Sequence, residues 1–156
     1  MKIYNLTENS EWISTIAPWH HEEWGYLNPD RLLQDRIDKF HSHLGTKAIP
    51  TTLVAVEDGE VCGSASIVDS DMNTHPELGP WLASVYVKSS ERGRGIGAKL
   101  VNKIVEFACT TEYKELYLFT PSSESFYRKL GWEKVADEEY SGSIVTIMKI
   151  AVSKIK

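Results

Sequence analysis

A chain of 156 residues with 42% apolar side chains matches one core-bearing unit, so a single domain spanning residues 1–156 is expected. The formal net charge of -5 repels polyanions, which argues against a broad nucleic-acid face and makes any phosphate site a local one. No apolar run approaches the ~20 residues of a membrane span, and Met1-Lys2-Ile3-Tyr4-Asn5 lacks a long apolar stretch, so a cytoplasmic protein with no membrane partner is expected.

Residues 1–6 alternate enough for a short strand, and residues 7–10 offer polar caps for a helix carrying Trp12, Ile13 and Ile16 that Pro18 ends or kinks. The stretch Trp19-His20-His21-Glu22-Glu23-Trp24-Gly25-Tyr26 then reads as a loop. A second helix is predicted from Asn28 as cap and Pro29 in the first turn, with Leu33, Ile37, Phe40 and Leu44 on one face before Gly45. From residue 51 the period changes to that of a strand, and Glu57-Asp58-Gly59-Glu60 contains the hairpin turn to a return strand over 61–68. A polar loop covers 69–79, followed by a strand over 81–87.

Beyond a glycine-rich turn, Leu100, Val101, Ile104, Phe107 and Ala108 share one helical face. A strand over 116–120 follows, then a short helix capped by Ser122 or Ser123 and closed by Gly131, and strands over 132–135 and 143–150. The strand, helix, strand unit from 81 to 120 is a crossover, so its two strands are expected to run parallel within an otherwise antiparallel sheet. The fold class is mixed α/β.

Two cysteines, Cys62 and Cys109, lack metal-ligand spacing and are expected to be buried free thiols. His20, His21, His41 and His43 fall into no zinc pattern, so no metal is expected. Met72, Trp81 and Trp132 read as packing residues.

Arg92-Gly93-Arg94-Gly95-Ile96-Gly97 lies between a strand and an amphipathic helix, where free N–H groups and the helix dipole favour an anion. Arg92 and Arg94 add charge-assisted donors that phosphate would balance. No Gly-Lys-Ser/Thr follows at Walker spacing. Gly93, Gly95 and Ala98 satisfy a loose dinucleotide pattern, yet Phe119-Thr120 stands where the ribose-binding acid should end the next strand.

Arg92-x-x-Gly95-x-Gly97 resembles the Q/R-x-x-G-x-G/A acyl-CoA loop of the GNAT superfamily of N-acetyltransferases. The resemblance extends to the strand Leu82-Ala83-Ser84-Val85-Tyr86-Val87 and to Phe126-Tyr127-Arg128-Lys129-Leu130-Gly131-Trp132, which looks like the family's aromatic-Tyr-x-x-x-Gly-aromatic segment. It implies a mostly antiparallel sheet with a splayed parallel pair, flanked by helices. It also implies acetyl-CoA as acyl donor, a small-molecule or peptide amine as acceptor, and direct attack without metal or covalent enzyme intermediate.

By the same resemblance, Val85, Tyr86 and Val87 pair with the pantetheine arm and supply an N–H to the reacting carbonyl. The pyrophosphate meets Arg92, Gly93, Arg94, Gly95, Ile96 and Gly97, with Ser122 and Ser123 as further cofactor contacts, and Tyr127 serves the departing thiolate as acid or hydrogen-bond donor. The glutamate that several members carry corresponds to Trp81 here, so Glu22, Glu23, Asp69, Asp71, His75 and Glu77 become substitutes for a base, as does a water relay. The aromatic and acidic segment 19–26 would border the acceptor and suit an ammonium group. A noncatalytic acyl-CoA-binding module and a nicotinamide dinucleotide enzyme are the competing functions. Exposed strand edges allow a homodimer.

Overall fold

The architecture was read from a computed structural model that describes residues 1–27 and 29–152. Asp58 and Gly59 take φ values of 51° and 79°, the left-handed pair of a tight hairpin turn, and join β2 (Thr51–Glu57) to β3 (Glu60–Val68). β1 (Lys2–Asn5) adds to the outer side of β2, and β4 (Trp81–Val87) to the inner side of β3. β5 (Glu115–Thr120) runs parallel to β4, and the hairpin of β6 (Glu133–Tyr140) and β7 (Ser143–Ala151) completes a sheet ordered β1-β2-β3-β4-β5-β7-β6. Only the β4–β5 pair is parallel in that sheet, in agreement with the crossover argument.

The helices are α1 (Ile13–Trp24), α2 (Leu33–Ser42), α3 (Ile96–Ala108) and α4 (Glu124–Lys129). α3 buries Ile96, Leu100, Val101, Ile104 and Ala108 against Leu53, Leu82, Leu116, Leu118 and Trp132 on one sheet face. Against the other face, α1 and α2 bury Ile13, Ile16, Ala17 and Phe40 over Val54. Further along, Met72 of the β3–β4 connection packs with Val68, Trp81, Ala83 and Ile147. Met72, Trp81 and Trp132 are therefore core residues, as the sequence suggests.

Trp81 is fully buried and its indole N–H donates to the Leu78 carbonyl at 2.9 Å. Trp81→Ala is expected to cost about 3–5 kcal/mol, because a large cavity opens beside the first residue of β4. Thermal melts should show a fall in Tm on the order of 10 °C.

Several local expectations are corrected. Pro18 does not end α1, which continues to Trp24, so residues 19–24 are helical and not a loop. The proline sacrifices one helical hydrogen bond, and the ring contacts of Trp19, His20 and Trp24 with Tyr86 offset the loss. The predicted cap Asn28 lies outside the described residues. Pro29 precedes the helix, which starts at Leu33, where the Asp35 carboxylate accepts the Leu32 N–H at 2.7 Å. The penultimate strand begins after Trp132, at Glu133. Cys62 is buried, whereas Cys109 is only half-buried.

Candidate active site

β4 departs from its partners in two places. Opposite Ser64 and Ser66 its register shifts, and Ser84 in the shift takes φ 55°, a left-handed conformation that costs a non-glycine residue about 1 kcal/mol or more. On its other side, pairing with β5 is confined to Trp81 opposite Tyr117, where the Tyr117 N–H donates to the Pro80 carbonyl at 3.0 Å. Beyond that point the strands diverge. A groove of about 480 Å³ opens there, with Val85, Tyr86 and Val87 on one wall and Ser123, Phe126 and Tyr127 on the other.

The glycine-rich turn closes one end of the groove. Gly93 and Gly95 take φ 83° and 81°, and Gly95 caps α3 with no side chain. The Lys99 N–H bonds the Gly95 carbonyl at 3.1 Å, so helix geometry leaves the N–H groups of Ile96, Gly97 and Ala98 without a carbonyl one turn back. Gly97 keeps the passage open, since a Cβ there would stand 3.5 Å from Val87 and 3.6 Å from Phe126.

The two arginines of the turn differ. Arg92 donates from Nε to the Val87 carbonyl at 2.9 Å, and its guanidinium lies 5.4 Å over the Tyr86 ring, inside the groove lining. Arg94 turns away to Glu91 and to Glu57, the latter at 2.9 Å, and does not line the groove. Its charge is already balanced by carboxylates, and of the two guanidiniums that of Arg92 lines the groove while that of Arg94 does not.

On the opposite wall, α4 is short and held by its context. Trp132 donates its N–H to the Tyr127 carbonyl at 3.1 Å, and Gly131 takes φ 99° to make that return. Neither Ser122 nor Ser123 caps α4 through its hydroxyl. Instead Thr120 Oγ1 accepts the Ser123 N–H at 3.0 Å. Ser123 lines the groove and Ser122 does not. Tyr127 lies half-buried between Phe126 and Trp132, and burial pushes its phenol up to about 12.

Residues 49–134, just over half of the chain, match the family model of the acetyltransferase (GNAT) domain. The chain belongs to the GNAT acetyltransferase family. Solved GNAT structures share the fold. The protein yncA from Salmonella typhimurium, solved with its cofactor acetyl-CoA, is 20% identical with TM-score 0.76, over 100% of this chain and 96% of the other. A ribosomal-protein-alanine N-acetyltransferase from Brucella melitensis is 20% identical with TM-score 0.77, over 97% and 100%. A phosphinothricin acetyltransferase from Sinorhizobium meliloti in complex with acetyl-CoA is 17% identical with TM-score 0.76, over 97% and 88%. No curated protein matches the sequence.

Within this GNAT frame, the second sheet face carries the remaining candidates. Trp19 stacks on Tyr86 at 5.4 Å between ring centroids, and Trp24 meets the same ring edge-on at 6.0 Å. One turn of α1 beyond Trp19, Glu23 reaches the groove lining, whereas Glu22 and Asp69 do not. His20 is fully buried, and its Nε2 pairs with Ser64 Oγ at 2.9 Å. Among the described residues no group of three or more His, Cys, Asp or Glu side chains is placed to hold a metal ion. No helix among them is long and apolar enough to cross a membrane.

His75 and Glu77, two of the substitutes for a base, are tied into a clasp. His75 Nδ1 meets Glu77 at 3.0 Å and its Nε2 meets Glu138 of β6 at 2.7 Å, while Thr74 donates to Glu138 at 3.1 Å. Hydrogen bonds to Glu77 and then to Glu138 raise the His75 pKa, and His75 in turn lowers that of Glu138. A raised imidazole contributes stability in full below its unfolded value of ~6.5 and loses it as pH climbs through the folded value. The lowered carboxylates lose theirs only in acid. Glu138→Gln should therefore lower Tm most near pH ~6, and the gap from wild type should close as alkaline pH is approached, in melts across about pH 5 to 9.

Proposed function

We propose that this GNAT acetyltransferase is an N-acetyltransferase, drawing its acetyl group from acetyl-CoA seated in the groove between β4, α3 and α4 and delivering it to a primary amine of a small molecule or peptide. The observation that carries the reading is the continuous passage from the bare N–H groups of Ile96, Gly97 and Ala98 to the unpaired edge of β4. The residues fit the donor: glycines where a pyrophosphate must approach backbone, one uncompensated guanidinium, and an apolar slot between diverging strands. When bound, acetyl-CoA supplies an acyl thioester activated for transfer.

In this reading the turn from Arg92 to Gly97 binds phosphate through backbone N–H groups, including that of Arg94, and through the Arg92 guanidinium. Val85, Tyr86 and Val87 orient the pantetheine arm by strand-like pairing, and one of their N–H groups polarises the reacting carbonyl. Ser123 borders the arm, and Ser122, outside the groove lining, does not. Tyr127 faces the departing sulfur. A phenol near 12 against a thiol near ~8.5 makes full proton transfer uphill by about 5 kcal/mol, so the Tyr127 hydroxyl acts mainly as a hydrogen-bond donor. Glu23 attracts the ammonium form of the acceptor to the groove.

The competing noncatalytic module shares the groove, so turnover separates the two. The purified chain is incubated with acetyl-CoA and a panel of primary amines, with release of free thiol and N-acetyl product followed together. Thiol release that requires an amine and yields the amide supports the reading. Tight acetyl-CoA binding with no amide from any amine would favour the module.

A further inference from the structure

We propose that Arg92 serves the reaction twice: its Nη groups meet the pyrophosphate of the donor, and its Nε holds the Val87 carbonyl, which makes Arg92 the positioning residue that registers the reacting edge of β4 against the phosphate turn. The proposal rests on the acetyl-CoA reading of the groove and adds to it a device that places the acyl group.

The direction of each main-chain group at the end of β4 follows from its contacts. A Cβ on Gly63 of β3 would stand 2.8 Å from the Tyr86 carbonyl oxygen, and the Lys88 N–H donates to the Cys62 carbonyl at 2.9 Å. Tyr86 and Lys88 therefore turn their main chain towards β3. Alternate residues of a strand face opposite sides, which leaves the main chain of Val85 and Val87 facing the gap towards β5. β5 pairs with β4 only at Trp81 opposite Tyr117, so no strand meets the Val87 carbonyl. Arg92 Nε takes that place, donating to the Val87 carbonyl at 2.9 Å. Of Val85, Tyr86 and Val87, the first and last are thus the residues whose main chain can serve the pantetheine arm, and the Val87 carbonyl is already engaged.

The clamp is built from short, fixed connections. A 3-10 turn over Ser89–Glu91, closed by the Glu91 N–H on the Lys88 carbonyl at 2.8 Å, folds the chain back so that Arg92 returns alongside Val87. Its guanidinium lies 5.4 Å over the Tyr86 ring, which is itself stacked on Trp19 of α1 at 5.4 Å. Arg92 has no other hydrogen-bond or ion-pair partner among the described residues, so its Nη groups are open to the groove it lines. Gly97, in the first turn of α3, stands next to Val87, where an added Cβ would meet the valine at 3.5 Å. A donor leaving the phosphate turn meets Val87 first and Val85 next. Any slip of the strand end against the turn then moves the thioester relative to the N–H that polarises it, and misplacement on the order of an ångström costs a transfer reaction about a hundredfold.

Substitution separates the roles, because glutamine carries its amide nitrogen as many bonds from Cα as the arginine Nε, whereas lysine has a methylene there and its charge further out. Arg92→Gln keeps the clamp and loses the charge, so the Kd for acetyl-CoA should rise about tenfold or more, with a far smaller fall in kcat at saturation. Arg92→Lys keeps the charge and loses the clamp, so Kd should stay within about threefold while kcat falls about tenfold or more. Both are read by calorimetry with acetyl-CoA and by steady-state assay with the primary amine of the panel that wild type acetylates fastest. In wild type carrying nitrogen-15 arginine, the Arg92 Nε–H signal should remain slow to exchange with solvent when acetyl-CoA is bound. A wild-type kcat in Arg92→Lys, or an Nε–H that acetyl-CoA releases to fast exchange, overturns the proposal. A wild type that binds acetyl-CoA and acetylates no amine defeats the transfer reading alone, and the Nε–H signal then decides the clamp. A wild type that binds no acetyl-CoA defeats both.

Discussion

Gly95→Glu abolishes acetyl-CoA binding in this account while leaving a folded protein. Gly95 sits at φ 81° as the N-cap of α3, so any side chain there meets a backbone cost of about 1–2 kcal/mol, and no neighbour lies within 4 Å of the added Cβ. Gly95→Ala carries the same backbone cost without charge and is the control. The glutamate adds a carboxylate beside the N–H groups assigned to the pyrophosphate. Two like charges about 4 Å apart repel by about 4 kcal/mol at an effective dielectric near 20, or about a thousandfold in Kd. Titration of wild type and both variants separates the terms: a modest loss for alanine, loss beyond detection for glutamate. Equal affinity in all three would remove the turn from the site.

Tyr127→Phe should leave the acetyl-CoA Kd within about twofold and lower kcat about 10²-fold, the scale of losing one donor aimed at developing charge. The phenyl ring keeps the contacts with Phe126 and Trp132 and removes only the hydroxyl. Because burial sets the phenol near 12, wild-type kcat should show no falling limb from this group below about pH 10. An unchanged kcat in the variant would exclude Tyr127 from the chemistry.

Elements with strong local periodicity were legible from the residues: the 51–68 hairpin through Asp58-Gly59, the amphipathic α3, and the parallel sense of β4 and β5. Features set by distant contacts were not. Ser84 is an ordinary strand residue by sequence, yet it takes a left-handed φ where β4 shifts register against β3. Arg94 shares the turn with Arg92, and Glu91 together with Glu57, which the β2–β3 hairpin brings close, turns it from the groove. Pro18 signals a helix end, but the ring stack on Tyr86 carries α1 past it. Glu22 and Glu23 are equivalent on paper, and the phase of α1 decides that Glu23 faces the groove.

Whether the groove from β4 to α3 takes acetyl-CoA is decided by calorimetric titration of the purified protein with acetyl-CoA and, separately, with NADH at moderate salt. Saturable binding of acetyl-CoA in the micromolar range, with none for NADH, is the expected result. Binding of NADH in preference to acetyl-CoA, or of neither, would contradict the assignment of the Arg92 to Gly97 turn and the transfer chemistry built on it.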